Sequence, residues 1–215
     1  MDLAILTDFD GTVASRDASF AVLDRFGENR WKEIEERAVK GEMTIPEALR
    51  IQSKLIRATR DQIRDHIIET IEIREGFPQF ANFCRDHDIH LEICSDGFGL
   101  TIEILLDHWD LNWIPWSSNR LIPSPEGSAI EFPYARDNCP VNANCKCSHL
   151  ERLEKKYNHV IFIGDGTTDV CVAGKAEEVF ARDQLEEIMK ASGMKFIHWD
   201  SWSGILEHVK DIISA

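Results

Sequence analysis

The chain of 215 residues has no apolar run approaching the roughly 18 residues that a membrane span requires, and no charged-then-apolar leader at its amino terminus. Nor has it a run of clustered Lys and Arg. Acids outnumber bases 38 to 24, for a formal charge of -14 and a pI near 5.0. Binding DNA or RNA through phosphates needs a basic stripe, so nucleic acid is excluded as a partner. Internal repeats, low-complexity tracts and Ser/Gly linkers are missing too. The eight histidines form no His-x₃-His or His-Glu-x-x-His pattern. The six cysteines, in a chain of this size without a leader, read as thiols. Cys84, Cys94 and Cys171 lie in apolar patterns and are expected to pack as small hydrophobes. What remains is a chain 43% apolar and 29% charged, which rules out disorder. The expectation is one generous domain, or a domain with a small insertion, in a cytoplasmic protein that is a monomer or homodimer.

Three short β-rich segments each run into an acidic turn. Residues 3–7 lead to Asp8-Phe9-Asp10-Gly11-Thr12, residues 89–94 to Ser95-Asp96-Gly97, and residues 160–163 to Gly164-Asp165-Gly166-Thr167-Thr168-Asp169. Helical spacing over 77–85, 100–108 and 149–157 separates them. Alternating strands and helices predict an α/β fold: a Rossmann-like parallel sheet flanked by helices. Ligands of such sheets bind beyond the carboxyl ends of the strands, where all three acidic turns would meet. One Asp-Gly alone is ordinary turn chemistry; three at one edge are not. Residues 178–181 predict a fourth strand, 184–192 a helix, 194–197 a short strand, and 204–213 a last helix with Ser203 as N-cap.

Between the first two strands the β signal vanishes. Residues 31–40, 44–57 and 59–73 read as helices, with capping boxes at Thr44-Ile45-Pro46-Glu47 and Thr59-Arg60-Asp61-Gln62. About four short helices over 15–73 are expected to form a cap domain, leaving 1–14 and 74–215 as the core domain. A minimal crossover needs only about a dozen residues.

Four carboxylates, Asp8, Asp10, Asp165 and Asp169, would crowd the edge, and like charges that close need a cation. An oxygen-only donor set suits Mg²⁺. A phosphate dianion would deepen the deficit, so a lysine is expected as well, and Lys146 is placed to supply it. Such a site suits in-line transfer of a phosphoryl group to a carboxylate. The N–H groups after Ser95 and Asp96 would cradle the phosphate, with Asp10 as acid and then base. The partner is then a small phosphorylated metabolite.

These four motifs, in order and at fitting intervals across nearly the whole chain, resemble those of haloacid-dehalogenase-type phosphohydrolases. The resemblance implies an aspartyl-phosphate on Asp8, and Mg²⁺ held by Asp8, the Asp10 carbonyl and Asp165, with Asp169 direct or through water. It also implies phosphate contacts from Ser95, Asp96, Gly97 and Thr168. A helical insert between the first two motifs is similar to the phosphoserine phosphatase branch. In that branch an acid about nine residues past the nucleophile holds the substrate amine and a cap arginine holds its carboxylate. The acid corresponds to Asp17, but the arginine position falls on Gln52, which disfavours phosphoserine. Ile73-Arg74-Glu75-Gly76-Phe77, the Cys-rich approach to Lys146 and Ala181-Arg182-Asp183 are similar to methionine-salvage phosphatases of 2-hydroxy-3-keto-5-methylthiopentenyl-1-phosphate. The approach Cys139 to Lys146 is similar also to phosphoethanolamine/phosphocholine phosphatases.

Two rivals lie outside catalysis: a phospho-acceptor signalling domain, which would be shorter and capless, and a non-catalytic binding protein on this fold. Cys139, Cys145, Cys147 and His149 could form a zinc set, but their spacing is unusual and would draw Lys146 into the metal site. A thiol-rich loop is the competing reading. Trp109, Trp113 and Trp116 could line a substrate pocket or anchor a loop to the core.

Overall fold

The computed structural model describes residues 2–137, 139 and 143–214. Among them, seven strands form one sheet: β1 (Leu3–Thr7), β2 (His90–Phe98), β3 (Trp116–Ile122), β4 (Ala129–Glu131), β5 (His159–Gly164), β6 (Glu178–Ala181) and β7 (Ile197–His198). Their order is β4-β3-β2-β1-β5-β6-β7. All neighbours are parallel except the edge pair β3 and β4. Every residue of β1 is buried, because helices cover both faces of a parallel sheet.

Alternation along β1 separates two apolar cores. Leu3 and Ile5 face the larger one, built with α5 (Phe77–Asp86), α6 (Gly99–His108) and α10 (Trp202–Ser214). Ala4 and Leu6 face the other, built with α7 (Lys146–Leu153), α8 (Val170–Ala173) and α9 (Asp183–Ala191). The order of strands reverses at β1, with β2 on one side and β5 on the other. That switch point is where a crevice opens at the carboxyl edge.

Four helices fill the stretch between β1 and α5: α1 (Ala18–Phe26), α2 (Trp31–Val39), α3 (Ile45–Leu55) and α4 (Arg60–Thr70). Both capping boxes form, at Thr44 with Glu47 and at Thr59 with Gln62. The chain leaves and re-enters through one antiparallel bridge, Ala14 with Ile73, flanked by hydrogen bonds Ser15 N–H to Glu72 O and Arg74 N–H to Val13 O. The larger core runs unbroken from the sheet into α1 and α4. A small separate cluster, Ile34, Ala38 and Ala48, holds the α2–α3 tip together.

The structure departs from the sequence reading in several places. The hairpin β3–β4 was not expected. β3 carries Ser117, Ser118 and Asn119, all buried, so its polar residues do not mark a surface loop. The strand expected at 194–197 is only Ile197–His198. Ser203 lies inside α10, whose cap is Ser201: its Oγ accepts the Gly204 N–H at 3.3 Å. The helix expected at 149–157 begins earlier, at Lys146. Cys84 and Cys94 are buried as expected, but Cys171 is exposed, its Sγ 3.3 Å from that of Cys147.

Candidate active site

The ends of β1, β2 and β5 meet around Asp8, which follows β1 directly and whose N–H donates to Ile163 O on β5 at 2.9 Å. The chain then turns sharply, with the N–H groups of Val13 and Ala14 both donating to Phe9 O. Gly11 is left-handed there (φ +78°), and a Cβ on it would sit 2.2 Å from Asp165 Oδ2, so only glycine fits. Arg74 clamps the same turn from below, donating to Gly11 O at 2.5 Å and Thr12 O at 3.2 Å. Trp202 Nε1 also donates to Thr12 O.

Asp10 is oriented by two donors, the Ala18 N–H at 2.7 Å to Oδ1 and Ser95 Oγ at 3.3 Å to Oδ2. Burial pushes its carboxyl above the usual carboxylate range. On β2, four steps from Cys94 to Phe98 match only two on β3, Ser117 to Asn119, so Ser95-Asp96-Gly97 bulge from the ladder. Asn119 Nδ2 donates to Asp96 O at 2.6 Å and Ser118 Oγ to Gly97 O at 2.9 Å, holding the bulge open. The Gly97 N–H, expected at the phosphate, donates to Ser95 Oγ at 2.9 Å and would have to exchange partners to receive it. A Cβ on Gly97 would fall 2.4 Å from Asp10 Oδ2.

Lys146 opens α7 and is wholly buried. Its Nζ donates to Asp8 Oδ1 at 2.6 Å and Asp169 Oδ1 at 2.5 Å. Burial alone would lower its pKa; Asp169, Asp8 and Asp96 together hold it well above the usual lysine value. Asp169 is also consumed by its own loop, its Oδ2 accepting the N–H groups of Asp165 and Gly166. Asp165 receives Thr12 Oγ1 at 2.6 Å.

One lysine therefore stands against Asp8, Asp165 and Asp169, whose nearest ligand atoms lie within 4.8 Å of one another. Burial pushes Asp8 well up and Asp165 to about 6, against the opposing pull of Lys146 and Thr12. The excess negative charge and the oxygen-only donors make the cluster compatible with a divalent cation such as Mg²⁺. Among the described residues, it is the one grouping of three or more metal-ligating side chains. Cys139, Cys145, Cys147 and His149 do not bring three ligand atoms within that range of one another, in keeping with a thiol-rich loop. His149 faces Asn144 and Glu92, and Cys147 faces Cys171; Pro140, Val141 and Asn142 of that approach lie outside the described residues.

Asp8, Asp10, Asp17, Gln52, Ser95, Asp96, Gly97, Asp165 and Thr168 border one cavity of about 460 Å³, with Lys146 and Asp169 packed beneath Asp8. Asp17 is also the N-cap of α1, accepting the Phe20 N–H at 2.7 Å. The amide of Gln52 donates to Glu35 Oε2 at 2.9 Å and Trp31 O at 3.4 Å. The tryptophans act as anchors: Trp109 stacks on Phe9, Arg85 covers Trp113, and Trp116 lies in β3 against Gly99. Glu35, Thr12, Ser19, Arg74 and Asn144 escaped the sequence reading. Of these, Thr12, Arg74 and Asn144 stood inside quoted motifs without a role, in Asp8-Phe9-Asp10-Gly11-Thr12, Ile73-Arg74-Glu75-Gly76-Phe77 and the approach from Cys139 to Lys146; Glu35 and Ser19 left no trace.

Residues 3–184 match the family model described as "Putative Phosphatase". The chain belongs to that family. It is 30% identical over 199 residues to a 2-hydroxy-3-keto-5-methylthiopentenyl-1-phosphate phosphatase of Brevibacillus brevis, covering 91% of this chain and 89% of that one. A protein of the same name from Bacillus cereus is 27% identical over 221 residues, covering 100% and 99%. The fold is that of a phosphoserine phosphatase solved as a phospho-aspartyl intermediate analogue, with TM-score 0.73 at 22% identity, covering 95% of this chain and 97% of that one. A haloacid-dehalogenase-family hydrolase from Salmonella enterica superposes with TM-score 0.76 at 15% identity, covering 95% and 70%. The protein is thus a phosphatase with the haloacid-dehalogenase fold. No helix of the described residues is long and apolar enough to cross a membrane.

Proposed function

We propose that the protein hydrolyses a phosphomonoester through an aspartyl-phosphate on Asp8, with Mg²⁺ as cofactor and 2-hydroxy-3-keto-5-methylthiopentenyl-1-phosphate as substrate, in the cytoplasm. The observation that carries the reaction is the pairing of Asp8, pinned by Lys146 at 2.6 Å, with Asp10, held by Ala18 and Ser95 at the same cavity wall. An Asp8 carboxylate oxygen attacks phosphorus and the ester P–O bond breaks. The departing oxygen takes a proton from Asp10, whose buried carboxyl favours the protonated form. Water then attacks the acyl phosphate and returns its proton to Asp10, which frees Asp8 and phosphate. Lys146 offsets charge on Asp8 throughout. Mg²⁺, held by Asp8, the Asp10 carbonyl and Asp165, with Asp169 direct or through water, would neutralise phosphate oxygens. The four helices over 15–73 serve as the cap that roofs this reaction, with the remainder as core.

The substrate reading is supported by the names of the relatives and by the roof of the cavity. Phe20, Leu23, Val39, Ile45, Ala48 and Leu49 line it, a surface suited to an apolar thioether tail. A second reading, phosphoethanolamine or phosphocholine, is favoured by the acids Asp17 and Glu35 in the same roof, which suit an ammonium group. The test is phosphate release by purified protein with Mg²⁺ across a phosphomonoester panel that includes both. Preference for the thiopentenyl phosphate is the expected result. No release from any ester would overturn the reading.

A further inference from the structure

Among the described residues, the roof of the cavity contains no cation. Of the described side chains that border it, none is Lys, Arg or His, and the two ionisable groups above the phosphate-handling floor are Asp17 and Glu35. Asp17 is tied into the N-cap of α1. Glu35 has a different support. It projects from α2 and is half-buried, while Gln52 on the neighbouring α3 is only 1% exposed. One amide nitrogen of Gln52 reaches both Glu35 Oε2 at 2.9 Å and Trp31 O at 3.4 Å. A primary amide has two hydrogens, so both are committed and the donor group has none left for a substrate. Gln52 therefore holds Glu35 in place against the roof.

The pairing has a consequence for selectivity. A phosphomonoester enters with its phosphate toward Asp8 and its organic end toward α2 and α3. A carboxylate on that end would meet Glu35 at close range in a partly dry cavity, with no positive side chain to compensate it. A neutral, apolar end would meet Phe20, Ile45 and Leu49 at no electrostatic cost. We propose that Glu35 is the specificity-determining residue that rejects phosphomonoesters bearing a carboxylate at the organic end, and that Gln52 is its positioning residue. This rests on the reading of the cavity as the phosphomonoester site. It also changes what an arginine in place of Gln52 would do. The new guanidinium would first pair with Glu35, so Gln52→Arg alone would not create a carboxylate clamp.

The test compares three esters with wild-type protein, Glu35→Gln, Gln52→Leu, Gln52→Arg and the double variant Glu35→Gln/Gln52→Arg. Butyl phosphate is neutral at its organic end, phosphoethanolamine is cationic, and phosphoserine is phosphoethanolamine with an added carboxylate. Glu35→Gln keeps the shape and an acceptor for Gln52 but removes the charge. Its kcat/KM for phosphoserine relative to phosphoethanolamine, which shares the ammonium and lacks only the carboxylate, should rise about tenfold or more, mainly through KM, while butyl phosphate changes least of the three. Phosphoethanolamine should fall in the same variant. Gln52→Leu should shift the phosphoserine-to-phosphoethanolamine ratio in the same direction, which loss of cap stability alone would not do. Gln52→Arg should gain little on phosphoserine and the double variant much more. If wild-type protein releases phosphate from butyl phosphate or phosphoethanolamine but Glu35→Gln leaves the phosphoserine-to-phosphoethanolamine ratio unchanged, the role of Glu35 is overturned. If wild-type protein acts on none of the three, the reading of the cavity fails instead.

Discussion

The backbone N–H of Asn144 donates to Asp96 Oδ1 at 2.7 Å, joining the bulge at the end of β2 to the loop that delivers Lys146. The Asn144 side chain repeats the join, with Nδ2 donating to Ser95 O at 3.0 Å and Oδ1 facing His149 Nε2 at 2.9 Å. His149 in turn faces Glu92, which Arg152 also pairs. Two segments of the candidate site some fifty residues apart are thereby set at a fixed distance.

Asn144→Ala removes the side-chain part of that join without touching the cavity. Leaving buried partners unpaired costs about 1–3 kcal/mol, a fall in Tm of roughly 3–10 °C for a chain of this size. Since Lys146 loses its fixed position, kcat should drop by about tenfold or more while KM changes little. Thermal unfolding and steady-state kinetics check both. An unchanged kcat would mean that α7 alone positions the lysine.

Asp8→Asn keeps the shape of the side chain but removes the carboxylate proposed to attack. Turnover should fall by about 10³-fold or more. No beryllofluoride or aluminium fluoride adduct should form on residue 8, as judged by mass spectrometry or fluorine NMR. Activity close to wild type would rule out the covalent intermediate.

Burial holds the Asp165 carboxyl at about 6 in the metal-free protein, above its value of about 3.9 in an unfolded chain. An acid raised on folding binds its proton more tightly in the folded state. Its contribution is therefore greatest below about pH 4 and is lost as pH rises to about 6. A divalent cation replaces that proton. Mg²⁺ should thus raise Tm more at about pH 7.5 than at about pH 5. Asp165→Asn, which can still accept from Thr12, should abolish the shift and melt above wild type in chelator at the higher pH. A Mg²⁺ shift of equal size in that variant would remove Asp165 from the ligand set.

Lys146→Met should be nearly inactive, losing about a hundredfold or more in rate. Removing the one cation from between two buried carboxylates should also destabilise the fold, by about 3–5 kcal/mol. Circular dichroism at low temperature would show it still folded. Mg²⁺ should recover part of the lost stability in Lys146→Met, because it compensates the same carboxylates.

Much of this site can be read in the sequence because its acids stand where strands end: Asp8, Ser95 with Asp96, and Asp165 each follow an apolar run. Connectivity alone then brings them together. What stayed hidden depends on partners distant in the chain. Ser117, Ser118 and Asn119 look like loop residues, yet Ser118 and Asn119 are buried as donors to the Asp96 and Gly97 carbonyls. Glu35 sits in Glu33-Ile34-Glu35-Glu36, which reads as a solvated helix face. Only the placement of α3, with Gln52 on its inner side, turns that one acid toward the cavity. Ser203 was a reasonable cap by pattern, but the helix starts one residue before it. Cys171 shows the limit of apolar patterning: in a helix of one turn, neighbours differ in exposure.

The central position of β1 bears on how the chain is made. This strand is synthesised first, yet its two neighbours come from residues 90–93 and 159–163. Until residue 163 has left the ribosome, one whole edge of Leu3–Thr7 has nothing to pair with, and its apolar side chains lack half of their cover. Contacts of such long sequence separation form late and slowly. Nascent chains halted before β5 should therefore be protease-sensitive and prone to aggregate or to engage chaperones. The strand that leads to the proposed nucleophile comes first of the seven in chain order and is among the last to be finished.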